Sequence, residues 1–256
     1  MRFASLGSGS QGNALVAEAG RTRVMLDCGF TIEEAEGRLA RAGLEPADLS
    51  GIIVTHEHGD HADGVFPFAR RHSIPVWTTY GTLAALREAG ASVENCPIRL
   101  VDSAVAFPVG DLLVQPYTVP HDAREPVQYV ISDGARRLGV LTDAGCATAH
   151  IEASLSGCDA LVLECNYDPG MLEGGPYPPS LKARIAGRLG HLDNATSGAI
   201  LAALDRSRLK HVIAAHLSQT NNTPALARAA LAGALSCGPE WVAVATQDEG
   251  FSWRDL

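Results

Sequence analysis

Residues 51–61 read Gly-Ile-Ile-Val-Thr-His-Glu-His-Gly-Asp-His. An apolar run ends in three histidines and two carboxylates, packed into the last seven positions. Imidazole nitrogens and carboxylate oxygens are donors for zinc, manganese and iron, and they are costly to bury without a cation. Residues 52–54 have the composition of a buried strand, so the cluster stands at a strand end. In extended chain the side chains alternate faces, which points His56, His58 and Asp60 one way. A turn at Gly59, or a helix starting there, brings His61 to the same side. Two overlapping ligand sets result, enough to start a two-metal site. Such a site indicates hydrolysis, because paired ions can hold both the attacking and the leaving oxygen.

Outward from this stretch, strand and helix patterns alternate. Short strands are expected over 2–6, 14–17 and 22–26, joined by glycine turns. A helix over 33–42 stops at Gly43. Beyond the histidine cluster come a helix (66–71), a strand (76–78) and a helix (80–89). The middle is strand-rich (104–107, 112–119, 127–132, 138–141), with Gly-Asp, Asp-Gly and proline punctuation. A helix (147–155), an apolar strand (160–163), a helix-rich stretch (180–204), a buried strand (211–215) and a helix (224–235) follow. Residues 241–245 and 250–253 read as a terminal hairpin. No linker or fixed-period repeat interrupts the chain. The expectation is one α/β domain over 1–256, with no large insertion, built as two mixed sheets sandwiched between helices.

Bulk properties narrow the class. Apolar residues make up 46% and charged residues 19%, enough for a sizeable core and too ordered a composition for a disordered chain. A net charge of −9 argues against a nonspecific duplex binder, although bound cations would add positive charge locally. The six cysteines form no CxxC pair and lie among apolar neighbours, as reduced core residues do. No long apolar region follows Arg2 and no run is long enough to span a bilayer. A cytoplasmic protein is expected, with no membrane contact and no obligate protein partner.

Further ligands must arrive from later strand ends, and three candidates do: His121 after 112–120, Asp143 after 138–142 and His216 after 211–215. Apolar strands stopping at ligand-type residues are where α/β sheets present their chemistry. His72, His150 and His211 are read as structural.

This order of residues resembles the metallo-β-lactamase superfamily nearly end to end. The resemblance implies the αββα sandwich fold. It implies that Asp27 orders the metal loop without binding metal. One metal would take His56, His58 and His121, the other Asp60, His61 and His216, with Asp143 and a hydroxide bridging them. Leu6-Gly7-Ser8-Gly9-Ser10-Gln11-Gly12-Asn13, Glu164-Cys165-Asn166-Tyr167-Asp168, Gly190-His191-Leu192 and His216-Leu217-Ser218 with Asn221-Asn222 are similar to the YycJ/WalJ-type branch. That branch implies a nuclease or phosphodiesterase, with 5′-to-3′ exonuclease action on DNA. The branch's usual Ser-Asn after Gly-His-Leu is Asp193-Asn194 here, and Asp193 is read as the cap of the next helix.

Glu164 is placed to hold His191 by a carboxylate–imidazole hydrogen bond and keep it protonated. A protonated His191 would assist the leaving oxygen while Asp60 and Asp143 orient the hydroxide. Lys182, Arg184, Arg188, Arg206, Arg208 and Lys210 form the most basic region, open to phosphate contacts. The reading is a hydrolase with two divalent ions, zinc or manganese, acting on DNA or another phosphodiester. The alternatives are a thioester, lactone or cyclic-phosphate hydrolase on the same scaffold, an iron-dependent oxidoreductase, or a non-catalytic metal-binding regulator.

Overall fold

The computed structural model describes all 256 residues, Met1–Leu256. The chain opens with strands β1 (Arg2–Gly7), β2 (Ala14–Ala19) and β3 (Thr22–Leu26). Helix α1 (Ile32–Arg41) leads to β4 (Gly51–Ile53), the short α2 (Gly59–Ala62), α3 (Val65–His72), β5 (Val76–Thr79), α4 (Tyr80–Glu88) and β6 (Ile98–Val101). The second half begins with β7 (Phe107–Val109), β8 (Leu112–Thr118), β9 (Val127–Ser132) and β10 (Arg137–Leu141). It continues through α5 (Ala149–Leu155), β11 (Ala160–Glu164), α6 (Pro169–Gly174), α7 (Pro179–Ile185), α8 (Asn194–Ala203), β12 (His211–Ala215), α9 (Pro224–Leu235), β13 (Ala243–Val244) and β14 (Phe251–Asp255).

These strands form two seven-stranded sheets, ordered β14-β1-β2-β3-β4-β5-β6 and β13-β12-β11-β10-β9-β8-β7. Each is mixed in the same way. The pairs from β14 to β3 are antiparallel and those from β3 to β6 parallel; those from β7 to β10 are antiparallel and those from β10 to β13 parallel. Period-two alternation divides the strands' apolar residues between two layers. Leu15, Ala17, Val24, Leu26 and Ile53 face the other sheet, against Tyr129, Ile131, Val140 and Val162. Val16, Met25 and Ile52 face outward onto Leu39, Phe66 and Phe68 of α1 and α3. The second sheet likewise covers its outer face with α5, α8 and α9, through Leu155, Leu201 and Leu231. Three apolar layers, each of 21 buried residues, therefore lie between four layers of secondary structure. This is the αββα sandwich of two mixed sheets.

Local sequence explains the helix starts. Thr31 and Glu34 make a reciprocal capping box at α1, whose first turn is acidic and last turn basic. Thr79, Thr148, Asp168 and Thr223 cap α4, α5, α6 and α9 through their side chains. Asp193 accepts from the backbone N–H groups of Ala195 and Thr196, at 2.8 and 2.9 Å, and caps α8 as its position suggests.

The structure departs from the sequence-based expectation in several places. The helix-rich stretch 180–204 is two helices, α7 and α8, separated by the loop that carries His191. Edge strand β6 has no counterpart in the pattern, because Arg99 and Leu100 are exposed and blur its alternation. The strand expected at 104–107 begins instead at Phe107. The terminal hairpin is not formed. β13 pairs in parallel with β12 and β14 antiparallel with β1, so the last two strands close opposite sheets. Each finds an open edge there, and only the Thr246–Gly250 bridge links them.

Gly250 makes that crossover possible. Its φ is +61°, and a Cβ there would lie 2.0 Å from the Ser5 carbonyl oxygen. Gly250→Ala is expected to lower the unfolding free energy by about 3 kcal/mol, the sum of backbone strain and overpacking. Urea denaturation measures this; a loss below about 0.5 kcal/mol would contradict the packing described.

Candidate metal centre

Strands β3, β4, β8, β10, β11 and β12 all end at one rim of the sandwich, and the chain places a polar residue at or just beyond each end. Asp27, Asp143 and His216 follow β3, β10 and β12 with φ of +59°, +53° and +53°. The left-handed conformation is tolerated best by Asp, Asn and His among non-glycine residues, and it breaks each strand so that its side chain turns into the cleft. His56 and His58 follow β4, and His58 is the N-cap of α2, which carries Asp60 and His61. The turn at Gly59 thus delivers His61 to the side expected from the sequence.

The donors converge in two sets. His56 Nε2 and His121 Nε2 each lie 3.1 Å from His58 Nδ1. One N–H cannot serve both contacts, whereas a cation among three imidazoles can. In the second set, Asp60 Oδ2 is 3.6 Å from His61 Nε2 and 3.3 Å from His216 Nε2. Asp143 stands between the sets, with Oδ2 at 2.9 Å from His61 Nε2 and Oδ1 at 3.5 Å from His216 Nε2. That Oδ2 is buried and makes no hydrogen bond of acceptable geometry. An orphaned buried carboxylate oxygen pressed against an imidazole nitrogen is what two ligands of one ion leave behind. The donor set therefore fits divalent cations.

Of the five remaining imidazole nitrogens, four have a partner within hydrogen-bond distance that fixes the ring. His61 Nδ1 lies 2.8 Å from Asp27 Oδ2, and Asp27 also accepts the Thr55 N–H and hydroxyl at 2.8 Å. His56 Nδ1 is 3.0 Å from Thr55 Oγ1, His121 Nδ1 3.1 Å from the Gly190 carbonyl, and His216 Nδ1 3.1 Å from the Asn166 amide. The free nitrogen of His58 is Nε2, 3.9 Å from Asp122 Oδ1. Behind the donors, Glu164 is fully buried; its Oε1 lies 2.7 Å from His191 Nδ1 and its Oε2 accepts the Ala144 N–H at 2.9 Å.

A profile of the beta-lactamase superfamily domain matches residues 22–217. The chain belongs to the metallo-β-lactamase superfamily. It is 35% identical to the exodeoxyribonuclease YycJ of Bacillus anthracis over 234 residues, covering 89% of this chain and 86% of that protein. It is 28% identical to the exodeoxyribonuclease WalJ of Streptococcus pneumoniae D39 over 237 residues, covering 92% and 88%. The zinc-bound crystal structure of PqqB from Methylobacterium extorquens overlays on all of this chain and all of its own with a TM-score of 0.74 at 17% identity, a likeness of fold.

All seven positions assigned to metal by the superfamily resemblance (His56, His58, Asp60, His61, His121, Asp143 and His216) meet at one place, and Asp27, Glu164 and His191 stand beside them. The basic region does not stay together. Arg184 lines the cleft, whereas Arg206 and Arg208 bond the Ala234 carbonyl and Asp159 before the start of β12, at the opposite end of the strands. His72 and His211 bond Glu36 and the Asp255 carbonyl, away from the site. Sequence reasoning assigned no role to Thr55, Asn166 or Asp122. Thr55 begins the quoted heptapeptide, and Asp122 follows a ligand directly. Their use as supports shows only once the strand ends are brought together.

The electrostatics are those of a cation site. Burial lowers His56 and His121 below the usual imidazole range. Burial opposes protonation of His61 and His216 too, yet Asp143 and Asp60 outweigh it and raise both. Metal binding would therefore release protons from these two rings. At His191, burial is likewise outweighed, chiefly by Glu164, and the ring is raised from 6.5 to about 9. A raised histidine gives stability that is complete below its unfolded value and lost as pH rises, so this pair strengthens the metal-free fold below pH 6.5 and stops doing so through about pH 9. In metal-free protein, NMR titration of the His191 ring is expected to give a midpoint near 9. Glu164→Gln should move it toward 6.5; an unmoved midpoint would show that Glu164 does not hold the proton.

Proposed function

We propose that the chain is a metal-dependent phosphodiesterase that degrades DNA from an end, with residues 1–256 acting as one domain. The observation that carries this reading is the Glu164–His191 pair facing the bridging carboxylate: His191 Nδ1 lies 3.4 Å from Asp143 Oδ1. A hydrolase whose leaving group needs no proton has little use for a histidine held protonated there. A departing alkoxide of a phosphodiester does. The names of the YycJ and WalJ relatives support DNA as the substrate.

Two divalent cations, zinc or manganese, would supply Lewis-acid charge and a water acidic enough to ionise near neutral pH. His56, His58 and His121 would hold one, Asp60, His61 and His216 the other, with Asp143 shared between them. Asp60 and Asp143 align the attacking water by accepting its hydrogens, and Asp27 and Thr55 keep His61 and His56 in register. His191 donates its proton to the departing oxygen, and Glu164 stabilises the cationic ring until it does. Six unpaired cysteines fit a reducing compartment such as the cytoplasm, and no helix is long and apolar enough to cross a membrane.

The test is hydrolysis of end-labelled single-stranded and duplex DNA, RNA and bis(p-nitrophenyl) phosphate by protein reconstituted with zinc or manganese. Stepwise shortening of DNA is expected, and hydrolysis of the small diester alone would sink the exonuclease reading. His58→Ala and Asp60→Ala should each reduce kcat/KM by at least about 100-fold and lower the bound metal per chain. Full activity in both variants would overturn the metal mechanism.

A further inference from the structure

Helix α7 has no fully buried side chain and only Leu181, Lys182 and Ile185 half-buried, so the hydrophobic effect contributes little to holding it in place. It is nevertheless pinned to the metal centre. Pro176, Pro178 and Pro179 stiffen its approach, and Arg184 Nε donates to Asp122 Oδ2 at 2.7 Å. The His191 N–H bonds the Ile185 carbonyl at 2.9 Å, and the Asp122 N–H the Leu189 carbonyl at 3.0 Å. Gly145, two residues past the bridging aspartate, must be glycine, since a Cβ would lie 2.6 Å from Gly190 N. The loops that carry His121, Asp143 and His191 are therefore bonded to, or packed against, one exposed helix and its flanks.

That segment has its own charge. Between Glu173 and Asp193 there is no carboxylate, but Lys182, Arg184 and Arg188 are present, in a chain of net charge −9. With Tyr177 and Leu181, Arg184 forms one wall of a cleft of about 400 Å³ that is also lined by Asp60, Asp143 and His191. The Arg184 side chain is 61% exposed. Asp122 holds it by one edge, and its terminal nitrogens bond nothing else in the chain. A planar guanidinium presented this way suits a phosphate, and it also masks the Asp122 charge, which would otherwise repel one. Tyr177, half-buried among prolines, offers an aromatic face at little entropic cost.

Resting on the phosphodiesterase reading, we propose that α7 grips a single polynucleotide strand, with Arg184 on the phosphate next to the scissile one and Tyr177 stacked on a base. Asp122 is then a positioning residue that aims Arg184.

The test compares steady-state kinetics of the metal-loaded full chain on a single-stranded oligodeoxynucleotide and on bis(p-nitrophenyl) phosphate. Arg184→Ala and Tyr177→Ala should each raise KM for the oligonucleotide about tenfold, and that loss should exceed the loss on the small diester at least about fivefold. Arg184→Ala should also flatten the dependence of log kcat/KM on log salt by roughly one unit. Tyr177→Phe should restore most of the affinity because the ring is kept, and Arg184→Lys should restore the salt slope but only part of the affinity because the charge is kept and the planar fork is lost. An Arg184→Ala enzyme with wild-type KM and salt slope overturns the assignment, as does an equal loss on both substrates. A wild-type enzyme that cleaves the small diester but leaves the oligonucleotide intact overturns this inference and the DNA reading, and one that cleaves neither overturns the phosphodiesterase reading itself.

Discussion

Asp143 meets groups delivered by both sheets. Its carboxylate lies 2.9 Å from His61, 3.5 Å from His216 and 3.4 Å from His191. His61 hangs from the first sheet through β4 and α2, and His216 from the second through β12. A carboxylate with such neighbours stays buried only if the sheets keep their relative position to a fraction of an ångström. The 21 apolar residues between the sheets supply that rigidity, and close packing there leaves little freedom to slide. The left-handed backbone at Asp27, Asp143 and His216 is the local cost, on the order of 1 kcal/mol or more at each residue.

Without metal, the site balances its charges with protons. His61 and His216 are raised by the carboxylates they face, and Asp143 is held well below the usual carboxylate range despite its burial. Cations would replace those protons and relieve the crowding of His56, His58 and His121. His191 differs, because Glu164 is its partner and Glu164 lies behind the donors. In the metal-free protein its proton is therefore held by a group outside the donor set. On the proposed reading, a histidine whose proton is held from outside the donor set suits the site to phosphodiesters.

Much of this was legible in the sequence. His56, His58, Asp60 and His61 stand in one heptapeptide, the alternation of strand and helix pointed to the sandwich, and apolar strands that stop at ligand-type residues pointed to His121, Asp143 and His216. The Asp193 cap followed from its position before a helix. Apart from edge strand β6, the failures share a cause, which is that partners distant in the chain decide the outcome. Whether 241–253 forms a hairpin depends on which sheet edges stand open, and the chain end holds no record of that. Asp122 is an ordinary aspartate until Arg184 comes to it from 62 positions away. The basic region looked continuous because sequence distance hides the two ends of a strand: Arg184 lies at one and Arg208 at the other.

The most direct measurement is anomalous diffraction from crystals grown with manganese or zinc, collected on either side of the metal absorption edge. Two peaks are expected, one among His56, His58 and His121 and one among Asp60, His61 and His216, with Asp143 between them. A single peak, or none at these residues under saturating metal, would contradict the proposed dinuclear centre.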